Sequence, residues 1–163
     1  MKLNLGSGSN YLQGYVNVDP QTNKKADVRT EAYDYLKDLD TGSVEEILCE
    51  HLLEHIPPVD GFLLIKECFR VLKVKGVLII ESPDLDKLGR VYGTGKLHYE
   101  HFRQGIFGEK GGVSVGEGHV WSYKEDEMTA ILRDVGFMEC GASINPEEYR
   151  WKFELSFRLK AIK

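Results

Sequence analysis

Apolar positions along the chain alternate between two spacings, and the switches between them mark the elements. Leu3-Asn4-Leu5 and Tyr15-Val16-Asn17-Val18-Asp19 read as short strands, stopped by Gly6-Ser7-Gly8 and by Pro20. Ala26-Asp27-Val28 predicts a third, very short strand, and residues 31–39 a helix with Tyr35, Leu36 and Leu39 on one side. Val44 to Cys49 forms the next strand, followed by the segment "EHLLEHI". Pro58 suits a first helical turn, where its missing N–H is no loss. Phe62, Ile65, Cys68, Phe69 and Leu72 then recur at helical spacing until Gly76. Gly76 to Glu81 is a continuous apolar run, the mark of a strand buried on both faces of a parallel sheet.

The C-terminal third changes pattern. Ser122-Tyr123-Lys124-Glu125 has capping-box form and predicts a helix through Met128, Ile131, Leu132 and Val135 to Gly136. A strand from Phe137 and a turn near Asn145-Pro146 follow. From Trp151 the residues alternate strictly, with Trp151, Phe153, Leu155, Phe157 and Leu159 on one face, which predicts an antiparallel strand at a sheet edge. The expected fold is a single three-layer α/β domain over 1–163, mostly parallel with one C-terminal antiparallel strand. Residues 89–121, dense in Gly and His, stand out as an irregular flap or insertion.

Charge and composition narrow the function classes. A net charge of −5 with no basic patch beyond Lys24-Lys25 argues against a nucleic-acid partner. No apolar run approaches the ~20 residues of a membrane span, and the N-terminus is too poor in apolar residues for a signal peptide. Cys49, Cys68 and Cys140 are odd in number and lack C-x-x-C spacing, so neither a disulfide framework nor a cysteine–zinc site is expected. A reduced, cytoplasmic setting follows.

Candidate chemistry gathers at the strand ends. A glycine turn after a buried strand lets a ligand approach the backbone, and an acid ending the next strand can accept hydrogen bonds from a ribose diol. Gly6-Ser7-Gly8, Asp19, Asp27-Val28 and Cys49-Glu50-His51 stand at successive strand ends, which in an open parallel sheet line one crevice. His51-Leu52-Leu53-Glu54-His55 also matches H-x-x-E-H, the zinc-peptidase pattern with two imidazoles one helical turn apart. That chemistry needs an uninterrupted helix, and Pro57-Pro58 leave room for little more than one turn. The segment reads instead as a loop, with His55 structural and His51 open between a cap and a substrate contact. No resident metal is expected, although His98-x-x-His101 with His119 is a second conceivable group. Glycines at 105, 108, 111, 112, 116 and 118 suggest a flap that closes over substrate and brings His101 and His119 as candidate bases.

"LNLGSGS", "VNVDP", "ADV", "SVEEILCEHLLEHI", "ECFRVLKVKGVLIIESPD" and "HVWSYKEDEMTAILRDVGF" resemble the ordered motifs of class I S-adenosylmethionine-dependent methyltransferases, over roughly residues 2 to 138. The resemblance implies a Rossmann-like fold with S-adenosylmethionine as cofactor. It implies Gly6, Ser7 and Gly8 beneath the methionine and ribose, Asp19 on the ribose hydroxyls, and Asp27 with Val28 beside the adenine. Glu50 and His51 would then sit near the sulfonium or the substrate. The chain departs from the pattern in three places. Asn4 replaces an acid, Asn10 replaces a third Gly, and only residues 6 to 14 separate the first two strands. A parallel crossover usually takes a dozen or more residues, so the first helix is expected to shrink to one turn within Ser9 to Gln13. Tyr11, the 89–121 segment or a second subunit would cover the gap. The expected activity is methyl transfer to a small molecule or a protein side chain by a monomer or homodimer. A non-catalytic partner-binding module of the same fold, and a metal-dependent hydrolase using HLLEH, are the alternatives.

Overall fold

In the computed structural model, which describes residues 1–22, 24–108, 118–143 and 155–163, β1 (Lys2–Leu5), β2 (Val16–Val18), β3 (Val44–Glu50) and β4 (Leu72–Pro83) run parallel. β6 (Ser156–Ile162) lies antiparallel to β4, and β5 (Glu139–Ala142) lies antiparallel to β6. The order across the six-stranded sheet is β2-β1-β3-β4-β6-β5. The terminal strand is thus antiparallel as expected, but it is interior and β5 forms the edge. The expected third strand contracts to one bridge between Val18 and Val28. Asn145-Pro146 and the residues from Trp151 to Glu154 lie outside the described residues.

Register explains the core. Val18, Leu5, Cys49, Ile80 and Leu159 are cross-strand neighbours, as are Leu3, Ile47, Leu78 and Ala161. Both rows bury with Leu36 of α1 (Ala32–Lys37), Cys68 of α2 (Pro58–Val71) and Leu132 of α5 (Glu125–Val135) in one apolar cluster. Pro58 does open α2, and α5 ends where Gly136 turns left-handed at φ 119°. The start of α5 is displaced from expectation. Its N-cap is Lys124, whose N–H donates to Glu127 at 3.3 Å, while the Ser122 hydroxyl lies 3.4 Å from the Pro83 carbonyl.

Of the 89–121 stretch, the described residues 89–108 are largely helical where composition suggests an irregular segment. α3 (Leu85–Gly93) starts on Asp84, whose carboxylate accepts the N–H groups of Asp86 and Lys87 at 2.9 and 3.1 Å. It pairs with α4 (Tyr99–Phe107), where Tyr92 and Phe102 stack at 4.3 Å and Gly105 lies against Leu88.

Between β1 and β2 there are turns in place of the expected one-turn helix. The backbone groups that a helix would satisfy are met by two buried amides. Asn4 donates to the Asn10 carbonyl at 2.7 Å and to Asn17 Oδ1 at 2.9 Å. Asn17 in turn accepts the Leu12 N–H at 2.9 Å and donates to the Leu12 carbonyl at 3.0 Å. Asn4, the departure from the methyltransferase pattern, is therefore what holds the shortened connection. Tyr11 does not enter the crevice: its hydroxyl donates to Asp27 at 2.9 Å and its ring carries the Lys25 ammonium at 3.8 Å. Asn4→Ala should remove two hydrogen bonds, one of them buried, and lower stability by about 1–2 kcal/mol. Urea unfolding checks this, and an unchanged midpoint would mean water replaces the amide without loss.

Candidate functional site

The carboxyl ends of β1, β2, β3 and β4 open into one cleft of about 1650 Å³. That exceeds the ~300–1,000 Å³ of an ordinary small-ligand pocket. Gly6 and Gly8 form its floor with φ of 64° and 52°, a left-handed backbone that favours glycine. A Cβ on Gly6 would stand 2.7 Å from Leu52 Cδ1, whereas one on Gly8 would meet only the Gly6 carbonyl at 3.9 Å. Gly6 is thus needed for packing and Gly8 for its turn. The Ser7 hydroxyl is buried with no hydrogen-bond partner among the described residues.

Asp19 lines the cleft at the end of β2. Its Oδ2 accepts the Gly8 N–H at 2.7 Å and its Oδ1 the Gln21 N–H at 2.9 Å. An ionised carboxylate has about four lone-pair sites, so two remain for a ligand diol. These bonds lock the carboxylate in place before any ligand arrives. Asp27 and Val28 do other work and do not line the cleft. Asp27 accepts the Asn17 N–H at 2.8 Å together with the Tyr11 hydroxyl, which keeps its carboxyl below the usual range. The Val28 carbonyl accepts the Asp19 N–H at 3.1 Å. Glu50 also lies off the cleft lining, ion-paired to Arg158 of β6 across the intervening β4.

His51 sits just past β3 with φ 52° and spans two buried carboxylates. Nδ1 lies 3.0 Å from Glu54 Oε1 and Nε2 lies 3.1 Å from Glu81 Oε1. Burial pushes its pKa down, but the two carboxylates outweigh that and raise it to about 9. Both ring nitrogens are engaged, so His51 is a bracing imidazolium and not an available base. Glu81 also takes the Arg158 guanidinium at 2.9 Å, and Ser82 donates to Glu54 at 3.3 Å. The peptidase arrangement is not formed: Leu53–His55 is a single 3₁₀ turn, and His51 precedes it.

The far wall comes from α3, α4 and the chain at 118–121. His101, Gln104 and Gly105 of α4 and His119 line it. The His119 Nδ1–H donates to the Gly105 carbonyl at 3.0 Å, and burial lowers its pKa. The His55 Nδ1–H donates to the Gly118 carbonyl at 3.1 Å, so it does fasten a loop. Val120 and Trp121 donate their N–H groups to the Glu54 carbonyl at 2.8 and 3.2 Å. His51, His101 and His119 therefore share one cleft. His98 and His101 face each other at 6.5 Å, and the only His/Cys/Asp/Glu trio with converging ligand atoms among the described residues is Glu54, His55 and His119. The flap glycines 111, 112 and 116 lie outside the described residues.

No family model and no curated protein matches the sequence. By fold the chain is similar to an S-adenosylmethionine-dependent methyltransferase from Archaeoglobus fulgidus, with TM-score 0.70 and 17% identity over 99% of this chain and 85% of that one. It is also similar to a methyltransferase from Thermotoga maritima described as a possible histamine N-methyltransferase, with TM-score 0.64 and 19% identity over 99% and 81%. A third similar structure is the 1,6-didemethyltoxoflavin-N1-methyltransferase of Burkholderia thailandensis with bound S-adenosylhomocysteine, with TM-score 0.58 and 14% identity over 99% and 70%. The chain's six-stranded, mostly parallel sheet with its helices is a Rossmann-like fold matching that of these S-adenosylmethionine-dependent methyltransferases. Among the described residues no helix is long and apolar enough to cross a membrane.

Proposed function

We propose that the chain is an S-adenosylmethionine-dependent methyltransferase acting on a small-molecule or protein acceptor. The observation that carries this reading is the convergence of Gly6, Gly8 and a pre-oriented Asp19 on one cleft at the tips of parallel strands. The residues fit an adenosyl group. Asp19 lines the cleft with about two lone-pair sites beyond its backbone bonds, enough for a ribose diol, and Gly8 leaves open space where any other residue would place a side chain. When bound, S-adenosylmethionine supplies an activated methyl group, so the protein's task is alignment and exclusion of water. Ser7, Asp27 and Val28 serve by fixing the loop and strand that carry Gly8 and Asp19, and Glu50 by holding Arg158. His51 braces the wall between cofactor and acceptor. His101 and His119 line the same cleft on the acceptor's side, and His101 takes the acceptor's proton if the nucleophile arrives protonated.

Calorimetric titration with S-adenosylhomocysteine tests the reading. One ligand per chain is expected. No heat up to millimolar ligand would instead favour a partner-binding module of the same fold.

A further inference from the structure

We propose that Glu54, His55 and His119 form a binding site for one divalent transition-metal ion at the acceptor end of the cleft. A ligating atom of each residue lies within 4.8 Å of those of the other two. Drawing them to the spacing of a tetrahedral site with bonds of about 2.0–2.2 Å takes movements of less than about 1 Å per side chain. Two further features are those of built metal sites. A carbonyl oxygen can only accept, so each imidazole must present N–H at Nδ1 to its backbone partner, His55 to Gly118 and His119 to Gly105. Each Nε2 then carries the lone pair that a metal requires, with the ring already oriented. The Glu54 carboxylate, 1% exposed, is supported by Ser82 and His51. The two stretches that supply the ligands are stitched together by the bonds from Val120 and Trp121 to the Glu54 carbonyl.

Two imidazoles and one carboxylate suit zinc and ferrous iron, and three protein ligands leave a coordination position open. All three ligands line the cleft, so that position faces the space left for the acceptor. A cation there would take an acceptor with a hydroxyl or carboxylate oxygen, and this substrate class rests on the methyltransferase reading. Metal binding itself does not. The grouping also differs from both metal sets visible in the sequence. It uses the second histidine of HLLEH without the first, and His119 without His98 or His101.

The test is a zinc titration of the full, untagged chain after chelator stripping, read by calorimetry, with cobalt absorption reporting the ligand types. One ion per chain is expected, with nitrogen and oxygen ligands. Affinity should fall by about tenfold or more in His55→Ala and His119→Ala and stay unchanged in His98→Ala. Glu54→Gln, which keeps shape while removing charge, provides a second variant, and circular dichroism confirms the fold of each. Uptake of less than about a tenth of an equivalent of zinc when the stripped chain is titrated would overturn the proposal, as would unchanged affinity in the folded His55 and His119 variants. S-adenosylhomocysteine is titrated into the same preparation. Heat with that ligand and none with zinc sinks the metal site alone, whereas zinc binding without nucleoside binding sinks the methyltransferase reading and leaves the site standing.

Discussion

Replacing Arg158 with methionine is expected to lower stability by about 3–5 kcal/mol, the loss seen when one partner of a buried ion pair is removed. Arg158 is 12% exposed, and its guanidinium meets Glu50 from β3 and Glu81 from β4, with Glu81 itself 1% exposed. Removing the guanidinium takes a cationic partner from each of two carboxylates that are cross-strand neighbours on β3 and β4, Glu81 keeping its contact with His51. The shape is largely kept by methionine, so the effect reads charge and hydrogen bonding and not a cavity. Combining Arg158→Met with Glu81→Gln should recover part of the loss, because the most buried negative charge goes with its partner. Urea unfolding of the four proteins in that cycle measures the coupling. A loss below about 1 kcal/mol would place the pair among exposed bridges of little worth. The consequence reaches the cleft, since the same Glu81 carboxylate holds His51.

Asp19→Ala is expected to weaken S-adenosylhomocysteine binding by about 1–3 kcal/mol, roughly five- to 150-fold in affinity, as hydrogen bonds to a charged group are lost. Part of this is direct, through the hydrogen bonds its remaining lone pairs would accept from the ribose. Part is indirect, because the Gly8 and Gln21 N–H groups lose their acceptor and the loop beneath the ligand loosens. Asp19→Asn separates the two, since its one carbonyl oxygen keeps one of these bonds and removes the charge. Calorimetry gives the affinities and thermal unfolding the stabilities. Equal affinity for wild type and Asp19→Ala would mean that the ribose lies elsewhere.

What the sequence reveals follows from where burial writes a pattern. β3 and β4 are readable because both carry runs of apolar residues that the sheet interior requires, and α2 and α5 because one stripe of each faces the core. α4 leaves no such trace. None of its residues is buried, so its apolar positions mark no face, and its glycine and histidine look like loop. α3 buries only Leu88. Gly6, Gly8 and Asp19 are legible as a strand-end series because local backbone geometry demands them. The support behind them is not, because it pairs distant residues. Asn4 reads as a departure until Asn10 and Asn17 are seen around it, and Glu81 finds Arg158 across 77 positions. In the sequence Glu54 belongs to a peptidase-like motif and to a methyltransferase-like stretch, and neither marks it as buried. Its burial between His51 and Ser82 depends on a 3₁₀ turn where the motif wants an α-helix. His119 earns no periodic signal at all, and its partners arise from the fold alone.

A crystal structure grown with S-adenosylhomocysteine tests the central claim most directly. The account predicts the ribose hydroxyls on the Asp19 carboxylate and the amino-acid portion above Gly6 and Gly8, with the sulfur turned toward the His51 side of the cleft. Nucleoside density away from Asp19, or a cleft that takes up no ligand at saturating concentration, would contradict it.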